Sequence, residues 1–333
     1  MNEITNQIGN LILEARKQTY RQINTIMVKT YWEIGKTIIK EQQGNEKAKY
    51  GTNLLNNLSK ELTKKYGKGF SRDNLENMRK LFLEFPKSET LSRNLSWSHY
   101  TTLLRIDDKL RRNFYIKELE SQNWSVRELK RQINSALFER LSLSKNKSEI
   151  LKLSNDGQII ENPNDLIKDP YILEFLNIKE HHSLNESELE QKLIDNLEKF
   201  ILELGKGFMF VARQKRITLD NTHFYIDLVF YNRLLKSFVI IELKTKELKH
   251  EHLGQLQMYV NYYDREIKQE DENPTIGILL CLDKKEQVVE YTLPKENNQL
   301  FASKYKLYLP DKKELEQRVK DLLKEEISEY KKC

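Results

Sequence analysis

The chain has 333 residues, 38% hydrophobic and 32% charged, with a formal net charge of +6, a length that suggests two domains rather than one. Eleven Gly, six Pro and two cysteines, Cys281 and Cys333, exclude glycine- or proline-rich repeats, a disulfide framework and a cysteine-rich metal site. The amino terminus lacks the pattern of a signal peptide, and the longest apolar runs, near Phe238–Ile241 and Ile276–Leu282, fall far short of the roughly 20 residues of a membrane helix, so a soluble, cytoplasmic protein is expected.

Charge is spread unevenly. Residues 1–150 carry 28 Lys and Arg against 17 Asp and Glu, and residues 151–333 carry 28 against 33. A basic half joined to an acidic half points to polyanion binding in the first and a different task in the second.

The first half reads as helix. Apolar residues recur at helical spacing from Ile4 to about Ile39, including Ile8, Leu11, Ile12, Ile23, Ile26, Met27, Tyr31 and Ile34. A second helix is predicted over Gly51–Tyr66, with Gly67-Lys68-Gly69 as a stop and Ser71 as the cap of a third helix reaching Phe85, before Pro86. Further helices are predicted at Ser98–Ile106, Lys109–Ser121 and Val126–Leu143, the last opened by the capping box Ser125-Val126-Arg127-Glu128. Periodicity weakens from Leu143 to about Asn185, so a helical domain over 1–145, a linker over 146–170 and a second domain over 171–333 are expected. There, a helix over Glu186–Leu204 precedes strands at Phe208–Gln214, Phe224–Tyr231 and Phe238–Lys244. A helix at His250–Lys268, a strand at Thr275–Leu282, weaker strands at Val288–Tyr291 and Tyr305–Leu309, and a helix at Lys312–Lys331 complete an α/β layer with a mixed sheet.

The segment Phe238-Val239-Ile240-Ile241-Glu242-Leu243-Lys244 starts as a buried strand and ends with two charges one residue apart. On a strand, positions i and i+2 share a face, so Glu242 and Lys244 project together. Asp227 sits in the preceding apolar strand. Isolated charges in such strands cost several kcal/mol unless paired or bound to an ion. Two carboxylates and an ammonium suit a hard divalent cation such as Mg²⁺ or Mn²⁺ and a catalytic lysine; the bland reading is a structural ion-pair network.

Asp227, 14 intervening residues and Glu242-Leu243-Lys244 resemble the PD-(D/E)XK nuclease superfamily, with Ile226 where the superfamily has a proline. Gln255-Leu256-Gln257-Met258-Tyr259 matches its Gln-X-X-X-Tyr element. The chain as a whole is similar to the YhcG-like family of that superfamily. Tyr31-Trp32-Glu33-Ile34-Gly35, Tyr66-Gly67-Lys68-Gly69-Phe70-Ser71, Trp97-Ser98-His99-Tyr100, Trp124-Ser125-Val126-Arg127-Glu128-Leu129, Leu202–Phe208 and Phe224–Leu228 carry the likeness, which covers roughly residues 5–143 and 170–310. It implies an all-α N-terminal domain followed by a restriction-endonuclease-like α/β domain with a central mixed sheet. The activity implied is metal-dependent hydrolysis of DNA phosphodiester bonds, in recombination, repair or defence against foreign DNA. The alternative is an inactive DNA-binding or assembly protein that keeps the fold as a scaffold.

The candidate catalytic residues are Asp227, Glu242, Lys244, Gln255 and Tyr259, with Asp227, Glu242 and Glu190 as metal ligands. Glu190 also fits a capping box from Ser187, and Glu198 two turns on is its rival. Gln214, at the end of the first strand, is a further cleft candidate, whereas Cys281 reads as core and His181-His182, His250 and His252 as loop or cap residues. Residues 54–85 have helix-turn-helix proportions, which puts Arg72, Asn74, Arg79 and Lys80 in position to face DNA, and Arg111 and Arg112 belong to a second basic cluster. The expected partners are DNA, a second copy of the chain, and a protein bound through the helical half.

Overall fold

The computed structural model describes residues 2–43, 48–143, 145–178, 185–294 and 296–329, so His181-His182 and Cys333 lie outside the described residues. The chain forms two compact units, one of residues up to Arg131 with Ser154–Gly157, the other of Gln132–Leu153 with residues from Gln158 onward. No helix among the described residues is long and apolar enough to cross a membrane.

The first unit holds helices α1 (Asn2–Gln43), α2 (Ala48–Tyr66), α3 (Arg72–Glu84), α4 (Trp97–Leu103) and α5 (Lys109–Gln122). Val28, Trp32, Ile38 and Ile39 of α1 are buried, one face at helical spacing. Gly35 lies on that face, where a Cβ would sit 2.0 Å from the Met78 carbonyl oxygen of α3; only a hydrogen fits so close a crossing. α3 buries Leu75, Met78 and Leu81, and the Ser71 side chain accepts the Asn74 N–H at 3.3 Å as its cap. Gly67 and Gly69, at φ +84° and +117°, turn the chain between α2 and α3, a conformation open to glycine at little cost.

The helix expected over Val126–Leu143 is two, α6 (Val126–Asn134) and α7 (Leu137–Ser142), broken where Ala136 takes φ +53°. The cause is Arg140, fully buried in the second unit. Its guanidinium donates to the Ser135 carbonyl (2.9 Å), the Pro170 carbonyl (2.9 Å) and Glu203 Oε1 (2.7 Å). A continuous helix would carry that fork elsewhere. The weakly periodic stretch after it contains α8 (Lys147–Asp156), whose buried residues are few, Ile150 and Leu153 among them.

The second unit is built on a six-stranded sheet in the order β1-β6-β5-β4-β3-β2. Its strands are β1 (Tyr171–Ile172), β2 (Phe208–Leu219), β3 (Thr222–Asn232), β4 (Ser237–Glu247), β5 (Ile276–Asp283) and β6 (Leu300–Lys306). β3 runs antiparallel to β2 and β4, and the remaining neighbours are parallel. Helices α9 (Glu186–Asp195) and α10 (Leu197–Leu204) cover one face through Leu189, Leu193, Phe200 and Leu204, packed with Val239, Ile241 and Leu243. Helix α11 (His250–Tyr262) covers the other through Leu253, Leu256 and Val260, packed with Val229, Ile240 and Leu279. Cys281 is buried in that second cluster, as core, and His252 caps α11 by accepting the Lys249 N–H.

Three further expected elements differ. Residues 288–291 lie in helix α12 (Glu286–Thr292), not a strand. Val288 and Val289 both pack on the α11-side core, which adjacent positions can do on a helix but not on a strand. The last strand starts earlier than expected, because Leu300, Ala302 and Tyr305 are its buried positions; helix α13 (Lys312–Glu329) then follows. The helix expected over Glu186–Leu204 is interrupted at Asn196, whose side chain donates to the Lys192 carbonyl at 3.1 Å.

Candidate active site

The candidate site forms where β3 and β4 part. Their register runs from Asn232–Ser237 to Leu228–Ile241, and beyond it side chains replace the backbone ladder. The Asp227 carboxylate accepts the Leu243 N–H at 2.8 Å, and the Glu242 carboxylate accepts the Asp227 N–H at 3.2 Å. Buried apolar residues around them hold both carboxylates within the sheet, where β3 stays paired to β2 and β4 to β5.

On the other side of Asp227, β2 is irregular. Its register shifts between Phe210 and Ala212, and Gln214 falls between the pairs Arg213–Leu228 and Lys215–Ile226 at φ +44°. This left-handed conformation is uncommon for a residue with a side chain. The Gln214 amide donates to Asp227 Oδ1 at 3.2 Å and to Glu190 Oε2. Glu190 is 3% exposed on α9. The capping box of α9 is Asn185 with Glu188, so the box expected from Ser187 does not form and Glu190 is not the cap. Arg213 Nε lies 3.0 Å from Glu190 Oε1, within ion-pair reach but without the angle of a hydrogen bond. Glu198 is exposed on α10, beyond the Asn196 break; among the two candidates, Glu190 is the one brought to Asp227.

Lys244 Nζ stands 3.7 Å from Glu242 Oε2 and 3.1 Å from Glu186 Oε2, so the shared face expected from i, i+2 spacing is present. Burial, with the Asp227 charge adding, pushes the Glu242 carboxyl up to about 8 against the pull of Lys244. Asp227 is raised by burial too, with Glu190 and Glu186 adding to it and the Leu243 N–H and Lys244 opposing. Burial disfavours the Lys244 ammonium, but Glu242 and Glu186 outweigh it and its pKa rises. Negative charge thus exceeds positive charge in a place shielded from water.

Gln255 and Tyr259 share a face of α11, but their polar ends meet each other and β3. Gln255 Nε2 donates to the Tyr259 hydroxyl at 2.7 Å, and that hydroxyl donates to the Tyr225 carbonyl at 3.2 Å. Tyr259 is fully buried, and burial, with Glu242 and Asp227 adding, raises its pKa. Sequence reasoning missed Glu186 and Arg213, which lie in no motif.

The expected DNA-facing residues divide. Arg72 and Lys80 are exposed on α3. Asn74 accepts the Trp97 indole N–H at 2.9 Å and donates to the Gly69 carbonyl. Arg79 pairs with Glu76 at 2.6 Å and bonds Gln42 at 3.3 Å. Arg112 corrects the expectation: it is 5% exposed, donates to the Ile106 carbonyl at 2.9 Å and pairs with Glu84, so it ties α5 to α3 instead of meeting a polyanion. Arg111 is half-buried, its backbone N–H capped by Asp108 at 2.8 Å.

Among the described residues, no three His, Cys, Asp or Glu side chains close around a point as a finished metal cage would. A Mg²⁺-type ion does not require one, because it binds through one or two carboxylates and keeps several waters. The oxygen donors of Asp227 and Glu242, with excess negative charge and Glu190 one amide away, fit such an ion.

Known proteins place the chain. The family pattern described as the YhcG PDDEXK nuclease domain matches residues 164–320, and the DUF1016 N-terminal domain matches residues 7–140. The Escherichia coli (strain K12) protein named "Putative nuclease YhcG" is 38% identical over 346 residues, covering 94% of this chain and 92% of that protein. Among solved structures, a repair endonuclease from Pyrococcus abyssi aligns at 21% identity and a TM-score of 0.27, over 40% of this chain and 50% of that chain. The EndoMS-dsDNA2 complex aligns at 20% identity and 0.28, with the same coverage; the chain spans about half the length of either. With both parts matched by their family patterns and the Escherichia coli relative aligned almost end to end, the chain belongs to the YhcG family of the PDDEXK nuclease superfamily.

Proposed function

We propose that this protein is a metal-dependent nuclease that hydrolyses DNA phosphodiester bonds, acting in recombination, repair or defence against foreign DNA. The observation that carries the reading is the meeting of Asp227 and Glu242 with Lys244 where β3 and β4 part, with Glu242 2% exposed and its carboxyl raised to about 8. Charge so poorly compensated is what a divalent cation neutralises.

Asp227 and Glu242 would hold Mg²⁺ or Mn²⁺, with Glu190 as third carboxylate. When bound, the ion supplies charge neutralisation at the scissile phosphate and a more acidic water at neutral pH. Lys244 orients the attacking water or donates to a phosphate oxygen, and Glu186 at 3.1 Å steers its ammonium. Gln214 spaces Glu190 from Asp227. Gln255 and Tyr259 brace β3 behind Asp227 through the Tyr225 carbonyl. Arg72 and Lys80 of the helical unit would add phosphate contacts, giving affinity that falls with salt.

The test is incubation of linear, circular and branched DNA with the protein in Mg²⁺, Mn²⁺ or EDTA, beside Asp227→Ala. Cutting that needs the metal and Asp227 supports the reading, and DNA binding without cutting on every substrate sinks it. That second result would favour the scaffold reading, for which the ion pairs Arg213–Glu190 and Lys244–Glu186 are the supporting observation.

A further inference from the structure

The amino-terminal part of α1 carries an apolar stripe remote from the candidate active site residues in sequence. Ile4, Ile8, Leu11, Ile12, Ile23 and Ile26 are each 48% to 71% exposed. At 3.6 residues per turn they share one band with Ala15 and Thr19. That band lies roughly half a turn around the helix from Val28, Gly35 and Ile38, the face buried in the first unit. The stripe is therefore not an extension of the core.

Two features select the occupant. About Ala15 the stripe is partly symmetric: Ile4 and Ile26 each stand 11 residues away and Ile8 and Ile23 stand 7 and 8 away, while Leu11 and Ile12 mirror Thr19 and Gln18. Charge is split about the same point. Residues 2–14 contain the acids Glu3 and Glu14 and no base, while residues 15–29 contain Arg16, Lys17, Arg21 and Lys29 and no acid. Antiparallel pairing with an identical helix sets the acidic half against the basic half, whereas parallel pairing sets like against like.

We propose that the protein is a homodimer joined by antiparallel packing of α1 residues 4–27 on the same segment of a second copy, with Ala15 at the two-fold axis. The interface is isologous, so Ile4 meets Ile26 of the second copy at both ends and Ile8 packs beside its Ile23. The small Ala15 side chain lets the helices approach at the centre. The stripe lies on the side of α1 away from the face buried in the first unit, which is the side a partner helix would pack against.

Sedimentation equilibrium of the full chain tests this. The expected mass is twice the 39.8 kDa of one chain. Ile8→Asp with Ile23→Asp should raise the dimer dissociation constant by about 100-fold or more, since both changes put a charge in the apolar seam. Helix content by circular dichroism should not fall, because both positions are exposed in the single chain. Orientation is read in a Cys333→Ser background: a mixture of the Ile4→Cys and Ile26→Cys chains should form a mixed disulfide, and neither should cross-link with itself. A monomeric wild-type chain at tens of micromolar, including one whose stripe binds anionic vesicles instead, overturns the proposal. So does a dimer that survives the double substitution, or self-cross-linking of Ile4→Cys.

Discussion

Asp227 and Glu242 hold each other in place through the backbone. The Glu242 carboxylate accepts the Asp227 N–H at 3.2 Å, and the Asp227 carboxylate accepts the N–H of Leu243, the next residue, at 2.8 Å. Each acid is therefore a structural acceptor as well as a candidate ligand. Asp227→Asn keeps an acceptor for the Leu243 N–H but turns an N–H toward the Gln214 amide, so it should cost about 1 kcal/mol, whereas Asp227→Ala strands both donors at a cost of about 1–3 kcal/mol. Chemical denaturation compares the two, and both should lose cleavage.

The raised Glu242 carboxyl predicts a pH dependence of the metal-free protein. Its folded pKa, about 8, exceeds the ordinary 4.5, so between those values the folded state holds the extra proton. Stability conferred by the protonated form is present below the ordinary value and is lost as pH rises through the folded one. Denaturation midpoints in EDTA should fall from pH 5 towards pH 8 (both chosen inside that window), and Glu242→Gln should flatten the fall. A wild-type profile as flat as that of the variant would refute this assignment.

Arg140 and Glu203 form an ion pair with both side chains fully buried, and Glu203 also accepts the Ile172 N–H at 2.9 Å. Removing one partner leaves a buried charge, so Arg140→Met should cost about 3–5 kcal/mol. Adding Glu203→Gln, which keeps an acceptor for Ile172, should recover part of that loss. A double-mutant cycle by urea denaturation reads the coupling.

Gln214 combines a strained backbone with a bridging side chain. Gln214→Gly relieves the left-handed strain while losing the bridge, and Gln214→Ala loses the bridge and keeps the strain. The glycine variant should be the more stable of the two by about 1 kcal/mol, measured by thermal or chemical unfolding.

Much of the site was legible because its signal is local. An apolar strand that runs into Glu-X-Lys has to place both charges on one face, and Lys244 stands 3.7 Å from Glu242. Glu190 was ambiguous until the cap of α9 was seen to be Asn185 with Glu188. What escaped depends on distant partners. The break before α7 answers to Glu203, 63 residues from Arg140, and no periodicity encodes such a pair. Arg112 looked like a surface cation because charge alone does not signal burial against Glu84. Glu186 and Arg213 matter only because the fold brings them to Lys244 and Glu190.

The nuclease reading rests most heavily on Lys244, the cation that stands between Glu242 and Glu186. Single-turnover cleavage of the preferred DNA in saturating Mg²⁺, comparing wild type with Lys244→Ala, isolates its part in the chemical step. A loss of at least about 100-fold in rate, with DNA affinity unchanged, is expected for a group that acts on developing charge. Wild-type rates in Lys244→Ala, or cutting that persists in EDTA, would contradict the mechanism.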